Sequence, residues 1–295
     1  MKTASVGAVF YFIIFLTMTY TQLKPHSTPS ASVEEISSES AHYLLTVPAG
    51  KADKYRNAQL DDYAQLTRRR FPHHSPITLN LSARTSNNSI PGTWGFGLWN
   101  DPFGLSIGYG GKPWRLPALP NAVWFFGASE ENYLSFKEPF HPERSGAQSR
   151  GASTAPPTNG GSAQRGVANG FLAQSFRAPK FHPLLALAGL VFPFSRKVTR
   201  QLMSEVIAED GISLDVDTTD WHRYRFEWEE KRVSFKVDEV QVFESDTSPH
   251  PPLGLVIWID NQYAAFTPEG KIGFGVLENP EPAWLEVKDI EVQNK

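Results

Sequence analysis

The 295-residue chain contains no cysteine. Disulfides, thiolate-held metals and a cysteine nucleophile are thereby excluded. It also lacks a surplus of positive charge: Lys and Arg total 28 against 31 Asp and Glu, for a net charge of -3. A balance of that kind offers no basic field, so no nucleic-acid partner is expected. The histidines, His73, His74, His141, His182, His222 and His250 among them, show no metal-ligand spacing. G-x-S-x-G, P-loop and dinucleotide-binding glycine patterns are missing, and the glycines of Gly108–Gly111 read as a turn. No internal repeat is present.

Aromatic residues are plentiful: eight Trp, twenty Phe and nine Tyr. They suit either the core of a β-sandwich or a cleft in which sugar rings stack on indoles. The N-terminus has a lysine at Lys2 and then an apolar run from Val6 to Met18. That run is shorter than the ~20 residues of a spanning helix. Residues 1–22 therefore read as a cleaved signal peptide or, second, an uncleaved anchor, and the protein is expected to be secreted or membrane-anchored outside the cytoplasm. The Ser-, Pro- and Thr-rich stretch behind it suggests a linker over 23–40.

From Ala41 onward the pattern is that of strands. Ile77, Leu79, Leu81 and Ala83 alternate with polar neighbours. Trp94, Phe96 and Leu98 share one face of a strand while Trp99 takes the other, and the intervening glycines leave that second face bare for a backbone or a ligand. Asn121 to Ser129 is apolar on both faces, as a central strand is. Residues 141–170 have no periodicity and read as a disordered or long surface loop. Leu184 to Phe194 is nearly all apolar, Pro193 should break any helix there, and Val198, Leu202 and Val206 recur at helical spacing behind Arg196 and Lys197. The Leu184–Ile207 segment thus reads as an insert that packs across the sandwich, touches a membrane surface or guards a cleft. The whole predicts an all-β domain over 41–295 with a loop and helical insertion at 141–210.

The segment Trp221 to Ser245, WHRYRFEWEEKRVSFKVDEVQVFES, reads as two half-buried strands joined by a tight turn at Asp238-Glu239. His222 is expected to pack or cap within it. This segment resembles the WHtYaieWtpdrIrfyvDGqlV hairpin of concanavalin A-like glucanases, the family-16 glycoside hydrolases. PITLNLSARTS and GTWGFGLWND are similar to that family's leariklp…GtWpAfWl strand pair, PPLGLVIWIDNQY to the strand after the hairpin, and AWLEVKDIEVQ to the closing mlVDYVRVyq. The resemblance covers roughly Ala41 to Gln293. It implies a concanavalin A-like antiparallel β-sandwich of jelly-roll type, no cofactor, and room for a structural calcium.

The family's chemistry sits on one strand bearing E-x-D-x-x-E or E-x-D-x-E, because a retaining glycosidase needs two carboxyls ~5–5.5 Å apart across the scissile bond. The matching strand here is Asn121 to Ser129, and it holds no carboxylate. Trp124, Phe125, Phe126 and Gly127 stand where the acids would be. The substitute acids are Glu130, Glu131, Asp101 and Asp260; adjacent Glu130 and Glu131 would point to opposite faces. For a binding site, the concave face implied by the resemblance suggests Trp94, Trp99, Trp124, Trp258 and Tyr263 as platform and Asn100, Asp101, Asp260 and Asn261 as polar rim. Three functions follow: a non-catalytic carbohydrate-binding or cell-surface sandwich; a glycoside hydrolase with displaced carboxylates; or a membrane-associated structural protein whose aromatic cleft is filled or takes an apolar ligand. The expected partner is a carbohydrate or other cleft ligand. Membrane contact is expected through the N-terminal segment and Leu184–Ile207.

Overall fold

A computed structural model describes residues 23–102, 118–133, 135–136, 169–180 and 182–294. In chain order the strands are β1 (Lys24–Ser27), β2 (Ser32–Ser37), β3 (His42–Val47), β4 (Asn57–Asp61), β5 (Ile77–Thr85), β6 (Thr93–Trp99), β7 (Ala122–Ala128) and β8 (Gly170–Arg177). Helices α1 (Pro183–Val191) and α2 (Arg196–Val206) follow. The remaining strands are β9 (Ala208–Ser213), β10 (His222–Trp228), β11 (Val233–Val237), β12 (Val240–Ser245), β13 (Gly254–Asp260), β14 (Gln262–Phe266), β15 (Ile272–Val276) and β16 (Ala283–Asn294).

Two seven-stranded sheets result. The first runs β1-β4-β13-β6-β7-β8-β9 and the second β12-β11-β10-β5-β16-β3-β2, with β14 and β15 as a separate hairpin. Strand neighbours within each sheet are antiparallel. The chain crosses between sheets repeatedly, so strands distant in sequence lie side by side, as in a jelly roll. The molecule is an all-β antiparallel sandwich, the class its strand pattern and resemblance imply.

Alternation sets the core. Ile77, Leu79, Leu81 and Ala83 of β5 point inward and are buried, as do Tyr224, Phe226 and Trp228 of β10. From the first sheet, Trp94, Phe96 and Leu98 and, one strand over, Val123 and Phe125 meet them. The fully buried Trp228 donates its indole N–H to Ser248 Oγ at 3.1 Å, so its one polar group is satisfied. The outer face of the second sheet is polar instead. There Glu286 accepts from Arg84 and pairs with His42, and Arg84 and Lys288 lie over the Trp221 ring.

Three expectations change. The supposed linker 23–40 contains β1 and β2, which pair with β4 and β3 as the edge strands of the two sheets. Edge strands bury little, so they lack the apolar alternation that announces a strand. The Trp221 segment forms three strands rather than two, β10, β11 and β12, and the turn at Asp238 and Glu239, both at positive φ, joins the second and third. His222 binds the Asp238 carboxylate across that assembly at 2.6 Å. The expected insertion 141–210 includes β8, a fully paired strand between β7 and β9. Helix α1 ends two residues before Pro193, and α2 starts from a Ser195 cap. The N-terminal segment 1–22 and residues 141–168 lie outside the described residues.

Candidate functional site

The outer face of the first sheet is where the resemblance sets the chemistry. Strand β7 presents Ala122, Trp124, Phe126 and Ala128 to it, because their neighbours Val123 and Phe125 fill the sandwich core. Trp258 approaches from β13 and Trp99 from the end of β6. Ring centroids of Trp124 and Trp258 are 5.8 Å apart, those of Trp99 and Trp258 6.0 Å with planes only 6° apart, and Phe126 stacks on Trp124 at 5.3 Å. Phe176 meets Trp124 edge-on.

The bare glycine face of β6 explains how these rings fit. A Cβ on Gly95 would lie 2.9 Å from the Trp258 ring, and one on Gly97 would lie 2.5 Å from Trp124 Cβ. The glycines leave room for indoles from the flanking strands. Above the rings lie Tyr63, Leu66 and Phe71, together with Phe136 and Met203 and Ile207 of the α2 end. Trp124, Phe126, Phe176 and Trp258 are buried and Trp99 is half-buried. The face carries a second apolar core.

The indole N–H groups of Trp124 and Trp258 each enter a polar chain that ends on a carboxylate. Trp124 donates to Gln174 Oε1 at 3.2 Å, Gln174 donates to Glu209 at 3.0 Å, and Glu209 accepts the Phe136 backbone N–H at 2.6 Å. Trp258 donates to Thr93 Oγ1 at 3.0 Å, and Thr93 donates to Asp260 at 2.8 Å. Asp260 also accepts from the Tyr55 hydroxyl and the Gln262 backbone N–H. Burial pushes the Asp260 carboxyl up to about 6, although the bonds from Thr93, Gln262 and Tyr55 pull the other way.

These carboxylates do not form a catalytic pair. Asp260 is on β13 and Glu209 on β9, four strand intervals apart, which at ~4.8 Å each is about 19 Å. Asp61, also buried, sits opposite Val256, four residues along β13 from Asp260, or about 13 Å. Both figures exceed the ~5–9.5 Å that glycosidases use. The sequence candidates are scattered as well. Asp101 follows Trp99, at the end of β6 opposite the Thr93–Asp260 pairing, and its carbonyl accepts from Arg68. Glu130 and Glu131 are exposed in the turn after β7.

The eight proposed ligand residues separate into groups. Trp99, Trp124 and Trp258 form the cluster. Trp94 faces the other way and stacks on Phe171 at 4.9 Å between the sheets, so it stands apart from them. Asn100 ties the loop beside Trp99 to Leu119 and Asn121. Asp260 is committed to the Thr93 network. Asn261 is fully buried and holds the backbone of Arg56, Lys54 and Leu277. Tyr263 packs against the glycines Gly273 and Gly275 of the β14–β15 hairpin. Sequence reasoning missed Gln174, Phe176 and Glu209, which lie in the stretch read as loop and insertion. The signal available there was the unbroken Phe171-to-Phe176 run, apolar or small at five of its six positions. Among the described residues no group of three or more His, Cys, Asp or Glu could hold a metal ion.

No protein-family model matches the chain. No curated protein matches it either. Solved structures share its outline. The catalytic domain of an endo-1,3-beta-glucanase (laminarinase) from Thermotoga petrophila is 11% identical at a TM-score of 0.42, over 91% of this chain and 81% of that one. A beta-glucanase of Bacillus licheniformis is 8% identical at 0.43, over 95% of both chains. An endo-beta-galactosidase from Clostridium perfringens that releases GlcNAc alpha1-4Gal is 10% identical at 0.45, over 94% of this chain and 59% of that one. At such identities and scores these likenesses carry no inference about chemistry.

Proposed function

We propose that the chain is a non-catalytic, carbohydrate-binding β-sandwich displayed outside the cytoplasm. One observation carries the reading: the outer face of the first sheet bears a buried aromatic cluster on β6, β7 and β13, and its buried acids Asp61, Asp260 and Glu209 are at least about 13 Å apart. Hydrolysis of a glycosidic bond needs an acid and a second carboxylate facing one bond. Recognition of a sugar needs only an aromatic face and a few hydrogen-bonding groups. The half-buried Trp99, stacked on Trp258 and flanked by the polar Asn100, is the part of the cluster nearest to meeting those needs.

Replacing Trp99 with alanine is expected to weaken retention on an immobilised β-glucan about 5- to 30-fold, because a stacked aromatic contributes about 1–2 kcal/mol beyond its hydrogen-bonding neighbours. A glycan array followed by affinity electrophoresis checks this. Unchanged retention in the variant would remove Trp99 from the site. No retention of the unaltered chain on any glycan would overturn the sugar reading.

A second reading draws on the cover of Phe136, Met203 and Ile207 over the rings. In it the face is a filled core and the chain acts as a membrane-associated structural or apolar-ligand-binding protein of the cell envelope, held by its N-terminal segment and by contact of Leu184–Ile207 with lipid.

A further inference from the structure

Most of the exposed large apolar side chains among the described residues lie on the α1–α2 hairpin. Leu190 is 71% exposed and Phe194 89%, with Leu187, Phe192 and Val198 standing out beside them. The turn of the β14–β15 hairpin abuts the start of α2, since a Cβ on Gly270 would come within 2.7 Å of the Lys197 backbone, and this hairpin exposes Ile272 and Phe274. Patches of this kind on a globular surface mark contact sites.

The tip of the hairpin is basic. Over residues 182–200 the sequence has Arg196, Lys197 and Arg200 and no Asp or Glu, and the acid of α2, Glu205, stands at the other end of that helix, nine residues from Arg196. Arg196 and Lys197 are exposed at the tip, and the Arg196 guanidinium lies 5.8 Å from the Phe192 ring centroid. Cation and apolar groups therefore occupy one place. The acid of the adjoining turn, Glu269, is hydrogen-bonded by Thr267, with the charges of Lys271 and Arg200 also acting on it.

The hairpin is fastened from beneath. Buried Arg200 donates to the carbonyls of Phe266 and Ser135 at 2.8 and 2.7 Å, Thr199 donates to Ala188 O at 3.2 Å, and Met203 and Ile207 reach the aromatic cluster. Its outward side chains are thus held in place. Helix α1 has nine residues, a length of about 13 Å, well short of the ~30 Å hydrocarbon core, so it can lie on a bilayer and not cross it.

We infer that the α1–α2 hairpin docks in the plane of an anionic lipid surface. Leu190 and Phe194 enter the acyl boundary while Arg196 and Lys197 meet headgroup phosphates. A second copy of the chain fits this face less well, because a two-fold contact would bring Arg196 and Lys197 of both copies together. The inference deepens the membrane-facing reading above and is independent of the sugar reading.

The test uses the full chain with Phe194→Cys, labelled with an environment-sensitive fluorophore. The absence of any other cysteine makes that label unique. Vesicles of phosphatidylglycerol and phosphatidylcholine should blue-shift the probe, and doxyl-labelled lipid should quench it. Adding Arg196→Gln and Lys197→Gln should weaken the partition roughly tenfold or more, and salt should weaken it further. Sedimentation with vesicles but no shift would overturn docking by the hairpin while leaving attachment by the N-terminal segment intact. No sedimentation would overturn both. An equal shift on phosphatidylcholine alone would overturn the anionic preference, and a shift that grows with protein concentration without vesicles would mean self-association instead.

Discussion

Trp124→Ala is expected to lower the unfolding free energy by about 3–5 kcal/mol. The ring is 5% exposed and touches Phe126, Trp258, Trp99 and Phe176. Directly opposite it on β6 is Gly97, which has no side chain to swing into the space, and the strands are held by their ladders, so a cavity would remain. The change also leaves Gln174 Oε1 without its indole donor, at a further cost of about 1 kcal/mol. Domains of this kind are stable by only about 5–15 kcal/mol, so the variant would be close to unfolding at ordinary temperature. Guanidinium titration followed by circular dichroism measures the effect. A variant as stable as the parent that has lost glycan binding would mean that Trp124 serves a ligand and not the second core.

The Asp260→Asn substitution should change how stability depends on pH. The carboxyl is held at about 6, above its ordinary value of 3.8, chiefly by burial. The native state therefore holds the proton more tightly than the unfolded chain. Its contribution to stability is full below pH 3.8 and is lost as the pH rises through about 6. At roughly 1.4 kcal/mol per pH unit, the loss across that window is about 3 kcal/mol. Asparagine keeps the geometry: its oxygen accepts from Thr93 and Gln262, and its NH2 donates to the Tyr55 oxygen that now donates to Asp260. It carries no charge to desolvate. Urea titrations at pH 3 and pH 7 should show the variant gaining about 3 kcal/mol on the parent between them. A difference between the two proteins that stays constant with pH would show that Asp260 is ionised at little cost.

Much of the sandwich was legible because its strands follow simple patterns. The alternation in β5 and β10 gave the inward faces, and the two-faced apolar run of β7 marked a strand covered on both sides. The division of β6 into Trp94, Phe96 and Leu98 against Trp99 matches the two cores. The edge strands β1 and β2 were hidden because polar, exposed residues pair through backbone groups that any sequence supplies. Strand β8 was hidden by the featureless stretch before it. The site was harder to read, because its contacts join residues far apart in sequence. Asn261, beside an acid and an aromatic, has the look of a hydroxyl-binding group. It is instead spent on the backbone of Arg56, 205 positions away. Likewise the bare glycine face of β6 suggests space for a ligand, and only the positions of Trp124 and Trp258 on neighbouring strands show that the space is filled.

The most direct test of the central claim is a reducing-sugar assay of the full chain on β-1,3- and mixed-linkage glucans, run with a pull-down on the same polymers. A face without paired carboxylates should retain glucan and release no reducing ends above the buffer rate over a day. Steady release that vanishes when Asp101, Glu130, Glu131 or Asp260 is replaced by its amide would contradict the account and identify the chain as a hydrolase.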